Sequence, residues 1–327
     1  MSRHRAEDDV RTAWQGGSRE ALIEVGLDPY WVRDTVLRAL AEDLGPDRRD
    51  VTTLATIPAE QQASAELVAR ANGVIGGLPL LPVVVAEAAA WTGTPVPAVV
   101  ARKADGDSVR RGEVVAELTG AVRTLLVAER TALNLLCRVS GIATHTSAWV
   151  EALAGTNAKV LDTRKTTPGL RALEKYAVRC GGGENKRMGL YDVAMIKDNH
   201  KLAAGSLSAA YTAVRNTFPK VEVQVEVTTP EEALEAVEVG ARFLLCDNMS
   251  PALLQTTVGK VRGATAERVV LEATGGLTLK TAHQYAKTGV DYLSVGALTH
   301  SSPALDLALD LVVDRTAGRP GPQQSRS

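Results

Sequence analysis

The sequence predicts an α/β protein built as a small amino-terminal α/β sandwich domain followed by an incomplete parallel β/α barrel of six to seven strands. Three observations predict it. Hydrophobic residues fill 45% of the 327 positions while aromatics reach only 4%, so the cores are aliphatic, as where helices pack on sheets. Short β-rich runs separated by turn signals crowd the first half. After Lys159 the texture changes to strand then helix, repeating at roughly 20 to 30 residues per unit, the pattern of a parallel barrel or a doubly wound sheet.

Taken in order, residues 1–24 read as a polar tail, and residues 315–327, rich in Gly, Pro, Gln and Ser, as another. The amino-terminal domain is expected over 25–140. Its strands are Ala65–Ala69, Val96–Ala101 and Val114–Leu118, with turns at Asn72-Gly73, Asp105-Gly106 and Arg111-Gly112. A helix from Glu129 to Ala154 follows, with Leu133, Leu136, Cys137 and Ile142 recurring at helical spacing. The barrel is expected over 141–302, on strands at Val160–Leu161, Ala194–Ile196, Val221–Val227, Phe243–Cys246, Val269–Leu271 and Tyr292–Val295. Thr229-Pro230-Glu231-Glu232 starts a helix with a capping Thr, Pro at the first position and Glu at the third, and Gly240 stops it. Ser250-Pro251 and Ser302-Pro303 carry the same start signal, the latter predicting a helix over 303–314 that packs back on the first domain. Six such units in about 140 residues fall short of the usual eight-unit barrel of about 250, hence the incomplete barrel.

Composition excludes several partner classes. With 37 Lys and Arg against 38 Asp and Glu, the net charge is −1, and no generic field draws nucleic acid or an anionic membrane. An anionic ligand must be held by cations clustered locally. Cys137, Cys180 and Cys246 are scattered and never form a C-x-x-C pair, so neither a disulfide framework nor a zinc knuckle is indicated. They suit a reducing, cytoplasmic setting, with Cys180 and Cys246 as small buried apolar residues. No targeting segment or membrane-length apolar run is seen.

The chemistry is expected where each apolar strand stops. The strands end in Asp162-Thr163-Arg164-Lys165, in Lys197-Asp198-Asn199-His200, at Glu226, in Asp247-Asn248, in Glu272-Ala273-Thr274-Gly275-Gly276 and in Ser294-Val295-Gly296. In a barrel these ends converge on one mouth, where that fold puts its active site. The charges also sort by kind. Arg164, Lys165, Lys197 and Arg187 form a cationic half suited to carboxylates or phosphates. Glu226, Asp247 and Glu272 form an acidic half. A mouth with both halves suits an anionic ligand bound together with a hard cation such as Mg²⁺. Gly275, Gly276 and Gly296 fit phosphate-holding loops after the last strands. Isolated charges at strand ends would ordinarily just solvate the edge, and His145 and His283 read as surface or packing residues. No Walker loop, H-E-x-x-H or G-x-S-x-G is present.

Asp162-Thr-Arg-Lys-Thr-Thr-Pro-Gly-Leu-Arg171, Gly181-Gly-Gly-Glu-Asn185 with Arg187-Met188-Gly189-Leu190, and Ile196-Lys-Asp-Asn-His200 resemble the quinolinate phosphoribosyltransferases. Glu129-Arg-Thr-Ala-Leu-Asn-Leu-Leu136 and Ser294-Val-Gly-Ala-Leu-Thr-His300 match too, and the resemblance spans Leu37 to Val313. It implies transfer of phosphoribosyl from phosphoribosyl pyrophosphate to quinolinate, with loss of CO₂ and pyrophosphate, giving nicotinate mononucleotide for NAD biosynthesis. It further implies that Arg130, Arg164, Lys186, Arg187 and Lys197 bind quinolinate. Phosphoribosyl pyrophosphate would fall to Thr163, Lys165, Glu226, Asp247, Thr274, Gly275, Gly276, Ser294, Val295, Gly296 and His300. Lys165, Glu226 and Asp247 would be catalytic, with Mg²⁺ held by Glu226 and Asp247, directly or indirectly. In that family the arginine matching Arg130 reaches the neighbouring subunit's site, which implies a homodimer that can assemble further.

One departure stands out. The family commonly has His-Arg where this chain has Lys186-Arg187, and that His contacts quinolinate. Lysine keeps a donor and adds a permanent charge, so Lys186 is expected to be a tolerated anion contact and Lys186→His to retain activity. Two alternatives stay open on the residues alone: a same-fold enzyme phosphoribosylating another aromatic acid, and a non-catalytic sensor of a phosphorylated ligand. A monocarboxylate needs fewer cations, and a sensor has no use for Glu226 and Asp247.

Overall fold

The computed structural model describes residues 18–312, which divide into two units, one of residues up to Ser140 with those from Ala304 onward, the other Gly141–Pro303. In the first unit, strands β1 (Gln62–Ala69), β3 (Ala98–Ala101), β5 (Val114–Ala121) and β12 (Leu307–Val312) form an antiparallel sheet in the order β12-β1-β5-β3. Strands β2 (Gly73–Val74) and β4 (Ser108–Val109) form a small ribbon beside it. Helices Pro29–Leu44 and Leu81–Thr92 bury Val36, Leu40, Val84 and Val85 completely. Asp28 starts the first of these helices by accepting the Tyr30 N–H at 2.9 Å, ahead of Pro29 at the first position.

Two expectations at the chain ends are corrected. Residues 303–314 were expected as a helix, but the chain runs as β12, with Leu67 opposite Leu309 and an Arg70–Asp310 ion pair at 2.6 Å across the strands. Leu305, Leu307, Leu309 and Leu311 alternate with other residues, a period of two that favours a strand. The Ser302 hydroxyl is turned to other partners, donating to Leu298 O at 2.6 Å and meeting His145 Nδ1 at 2.7 Å. Within the tail expected over 1–24, residues 18–24 form a helix whose Leu22 is fully buried. Residues 1–17 of that tail, 313 and 314 of the expected helix, and the tail 315–327 lie outside the described residues.

Strand β5 runs directly into a 31-residue helix, Val122–Ala152, longer at its start than the apolar periodicity suggests. The second unit then carries β6 (Lys159–Leu161), β7 (Val193–Ile196), β8 (Glu222–Val227), β9 (Phe243–Asp247), β10 (Val270–Thr274) and β11 (Tyr292–Ser294). They are all parallel, in the order β6-β11-β10-β9-β8-β7. This is the incomplete barrel expected. Thr229 and Ser250 cap their helices as their sequence signals require, accepting the Glu232 and Leu253 N–H groups at 3.1 and 3.3 Å.

Edge strands β6 and β7 do not pair with each other. Residues 184–187 run between them. Glu184 N–H donates to Val160 O at 2.8 Å and its carbonyl accepts Asp162 N–H at 3.2 Å, while Arg187 donates to Val193 O at 3.1 Å. A loop thus occupies the place of a further strand, and it delivers two cations to the strand ends.

Candidate active site

One cavity of about 790 Å³ opens at the carboxyl ends of the parallel strands. Every site residue expected in the barrel except Glu272 lines it: Thr163, Arg164 and Lys165 after β6, Lys186 and Arg187 from the gap loop, Lys197 after β7, Glu226 on β8, and Asp247 on β9. Thr274, Gly275 and Gly276 follow from β10, and Ser294, Val295, Gly296 and His300 from β11. Arg130 lies on the part of the long helix in the first unit, its side chain 61% exposed and 3.9 Å from the Glu129 carboxylate.

Sheet register explains the layout. Glu226, Leu245 and Glu272 are neighbours across β8, β9 and β10 and project from one face, while Asp247 and Thr274 pair two residues nearer the carboxyl ends. Glu226 and Asp247 therefore crowd together. Burial, and then the Glu226 charge, push the Asp247 carboxyl above its ordinary value, while Asn248 and Lys197 pull the other way. Lys197 Nζ donates to Glu226 Oε2 at 2.9 Å. Across the cavity the two arginines have no ion pair as close as this among the described residues. Arg164 Nε is buried without a hydrogen-bond partner. Arg187 is held below the usual guanidinium range first by burial and then by the Arg164 charge, with Asp192 opposing. Two guanidinium groups that repel each other in a half-enclosed pocket are arranged to receive an anion.

The glycines meet a steric demand. Gly275 has φ +87°, and a Cβ there would stand 2.3 Å from Asn248 Oδ1. Asn248 is itself left-handed at φ +53°, and its side-chain amide donates to Asp247 Oδ2 at 2.8 Å. At Gly296 a Cβ would lie 3.0 Å from Lys165 Cδ and 3.3 Å from His300 Nε2. In both loops the missing side chain leaves bare backbone at the cavity wall.

Two of the expected side chains have surroundings that the sequence did not show. Lys186, expected as a tolerated anion contact, lines the cavity while its ammonium donates to Glu272 Oε1 at 2.5 Å. Glu272 was expected in the acidic half facing the ligand. It is instead fully buried and joined to the cationic side. Cys246 is buried and its thiol is pushed up to about 12, chiefly by burial, whereas Cys180 is half-buried.

Sequence reasoning missed the supporting shell. Asp162 is fully buried, and its carboxylate accepts Lys175 Nζ, Asn185 Nδ2 (2.7 Å) and Lys186 N–H (2.8 Å). Asn185 also donates to Lys175 O at 2.8 Å. This knot fixes the loop that carries Lys186 and Arg187. Asn248, Met195, Leu245, Leu277 and Ala297 also line the cavity. The Asp247-Asn248 pair at a strand end was a usable signal for Asn248, since Asn tolerates the left-handed region. The apolar members carried no signal.

The chain is similar to known proteins along most of its length. The family model for the quinolinate phosphoribosyl transferase C-terminal domain matches residues 142–310, and that for the N-terminal domain matches 50–140. The chain is 48% identical over 279 residues to nicotinate-nucleotide pyrophosphorylase [carboxylating] of Mycobacterium leprae, covering 85% of this chain and 96% of that protein. It is 38% identical over 301 residues to quinolinate phosphoribosyltransferase [decarboxylating] 1 of Nicotiana glauca, covering 86% and 83%. The crystal structure of NadC from Streptococcus pyogenes superposes with a TM-score of 0.81 at 38% identity, covering 88% of this chain and 99% of that one.

Proposed function

The chain belongs to the quinolinate phosphoribosyltransferase family, and we propose that the cavity at its strand ends is where it carries out the decarboxylating transfer. The reaction moves phosphoribosyl from phosphoribosyl pyrophosphate to the ring nitrogen of quinolinate. Pyrophosphate and CO₂ leave, and nicotinate mononucleotide remains, a step in NAD biosynthesis. The observation that carries the assignment is the placement of charge around one cavity: Arg164, its buried Nε without a partner, and Arg187 beside it on one side, the Glu226 and Asp247 carboxylates on the other.

In this reading Arg164 and Arg187 take the two carboxylates of quinolinate, with Lys186 and Lys197 beside them, and Arg130 of the partner subunit completes the grip in a cytoplasmic homodimer. Phosphoribosyl pyrophosphate lies along the opposite wall. Its 5′-phosphate sits in the loops at Thr274, Gly275 and Gly276 and at Ser294, Val295 and Gly296, near His300. Thr163 and Lys165 lie between quinolinate and the pyrophosphate. Glu226 and Asp247 hold the ribose hydroxyls, so Lys197 yields its contact with Glu226 when the sugar arrives.

Rate then comes from position and field. The ring nitrogen attacks the anomeric carbon as the carbon–pyrophosphate bond breaks, and the two carboxylates favour the positive charge growing on the sugar. Alkylation leaves the ring nitrogen positive, which accommodates the electron pair released at the adjacent carbon when its carboxylate departs as CO₂, and that carbon then takes up a proton from water. No side-chain nucleophile is needed. The donor set also fits Mg²⁺: two crowded carboxylates, one held above its ordinary pKa, with the remaining oxygen ligands left to phosphates and water. Bound there through Glu226 and Asp247, the ion would neutralise charge on the departing pyrophosphate.

The test supplies phosphoribosyl pyrophosphate and Mg²⁺ with quinolinate or with nicotinate, and follows nicotinate mononucleotide and CO₂. Product and CO₂ from quinolinate are expected. Product from nicotinate alone would overturn the reading.

A further inference from the structure

Lys186 is fixed at three points. Its N–H donates to Asp162 Oδ1 at 2.8 Å, its carbonyl accepts Lys175 Nζ at 3.0 Å, and its ammonium donates to Glu272 Oε1 at 2.5 Å. The side chains at the two ends of the last contact are 8% and 0% exposed. Glu272 projects from the same face of the sheet as Glu226, one level below Thr274, so its carboxylate lies beneath the cavity floor while Lys186 lines the cavity itself. The other carboxylate oxygen of Glu272 is buried with no partner.

Neither charge would be stable there alone. Burial, and the neighbouring Lys197 and Arg187, lower the Lys186 ammonium, and Glu272 opposes them. Together the two groups nearly cancel as seen from the cavity. What Lys186 offers a ligand is therefore direction more than net charge. An ammonium has three donors, and with one spent on Glu272 the remaining two are aimed by that bond. A histidine, mostly neutral near pH 7, would leave the buried carboxylate without this counter-ion.

We propose that Glu272 is a positioning residue for quinolinate, anchoring Lys186 so that its ammonium stands ready as an oriented donor to one carboxylate of the ligand. This rests on the reading of the cavity as the quinolinate site.

Single variants cannot separate positioning from structure, because removing one partner of a buried pair strands the other. The pair must also be removed together. In Lys186→Met with Glu272→Gln both charges go at similar volume, and the thermal midpoint should return toward that of the unmodified chain. A structural role for the pair predicts that the KM for quinolinate returns with it. Positioning predicts that this KM stays at least about tenfold high, the scale of one charge-assisted hydrogen bond, while the KM for phosphoribosyl pyrophosphate stays within about twofold. Glu272→Gln alone, which keeps the ammonium but loosens its anchor, should also raise the KM for quinolinate selectively. A double variant with restored midpoint and ordinary quinolinate KM would overturn the inference and leave the functional reading intact. Failure of the unmodified chain to convert quinolinate would overturn both.

Discussion

Lys175 Nζ lies 2.5 Å from Asp162 Oδ1, and both side chains are sealed from solvent, at 1% and 0% exposure. Burial raises the Asp162 carboxyl and lowers the Lys175 ammonium, and each partner's charge opposes that drift. Because Asp162 also accepts from Asn185 and from the Lys186 backbone, the pair holds the loop that fills the barrel gap. Lys175→Met is expected to cost about 3–5 kcal/mol by stranding the carboxylate, and Lys175→Met with Asp162→Asn to recover part of it. Urea unfolding with an unchanged slope measures both. A single variant as stable as the parent would mean that the pair holds nothing.

Gly275→Ala tests the phosphate loop. The substitution meets a left-handed backbone, worth about 1–2 kcal/mol, and a Cβ 2.3 Å from Asn248 Oδ1. Gly155, at φ +77° with open space around its Cβ position, meets only the backbone penalty. Gly275→Ala is expected to raise the KM for phosphoribosyl pyrophosphate by about tenfold or more, while Gly155→Ala lowers stability alone. Equal kinetics in the two variants would remove the loop from phosphate binding.

His145 gives the protein a pH-sensitive joint. Trp149 Nε1 can only donate, and it does so to His145 Nε2 at 3.1 Å, so the imidazole proton sits on Nδ1, 2.7 Å from Ser302 Oγ. Protonation would take away the acceptor, and burial holds the imidazole below its ordinary value of 6.5. As pH falls below about 6.5 the unfolded chain takes up this proton and the folded one resists it, so stability declines until the lowered folded value is passed. The thermal midpoint should drop more between pH 7.5 and 5.5 in the parent than in His145→Gln. Parallel curves would show that His145 does not titrate against folding.

Much of this site was legible because barrel chemistry clusters where apolar runs end. Asp162, Lys197, Asp247, Thr274 and Ser294 each interrupt or follow such a run, and parallel register alone brings their surroundings together. What stayed hidden depends on long-range contact. Nothing in the helix Arg171–Cys180 marks Lys175 as buried, since its partner is 13 residues away in another element. The Lys186–Glu272 contact spans 86 residues and puts a strand-end acid on the cationic side. At the carboxyl terminus, the Ser-Pro start signal competed with the alternation of Leu307, Leu309 and Leu311. Cross-strand pairing with β1 decided it.

Arg130 permits a test of the shared site that no single chain can mimic. Its side chain is largely exposed and its ion pair with Glu129 is a loose 3.9 Å, so Arg130→Ala should cost little stability. Arg130→Ala and Arg187→Ala chains are each expected to be nearly inactive alone. In a mixed dimer that shares residues across its interface, one site collects both lesions and the other collects none. Random exchange of equal amounts makes half of the dimers mixed, so about a quarter of the sites, and of the parent turnover, should return. Recovery must grow with the extent of exchange, which native mass spectrometry follows through the mixed species. Full exchange without recovery would place Arg130 and Arg187 in the same site of one chain.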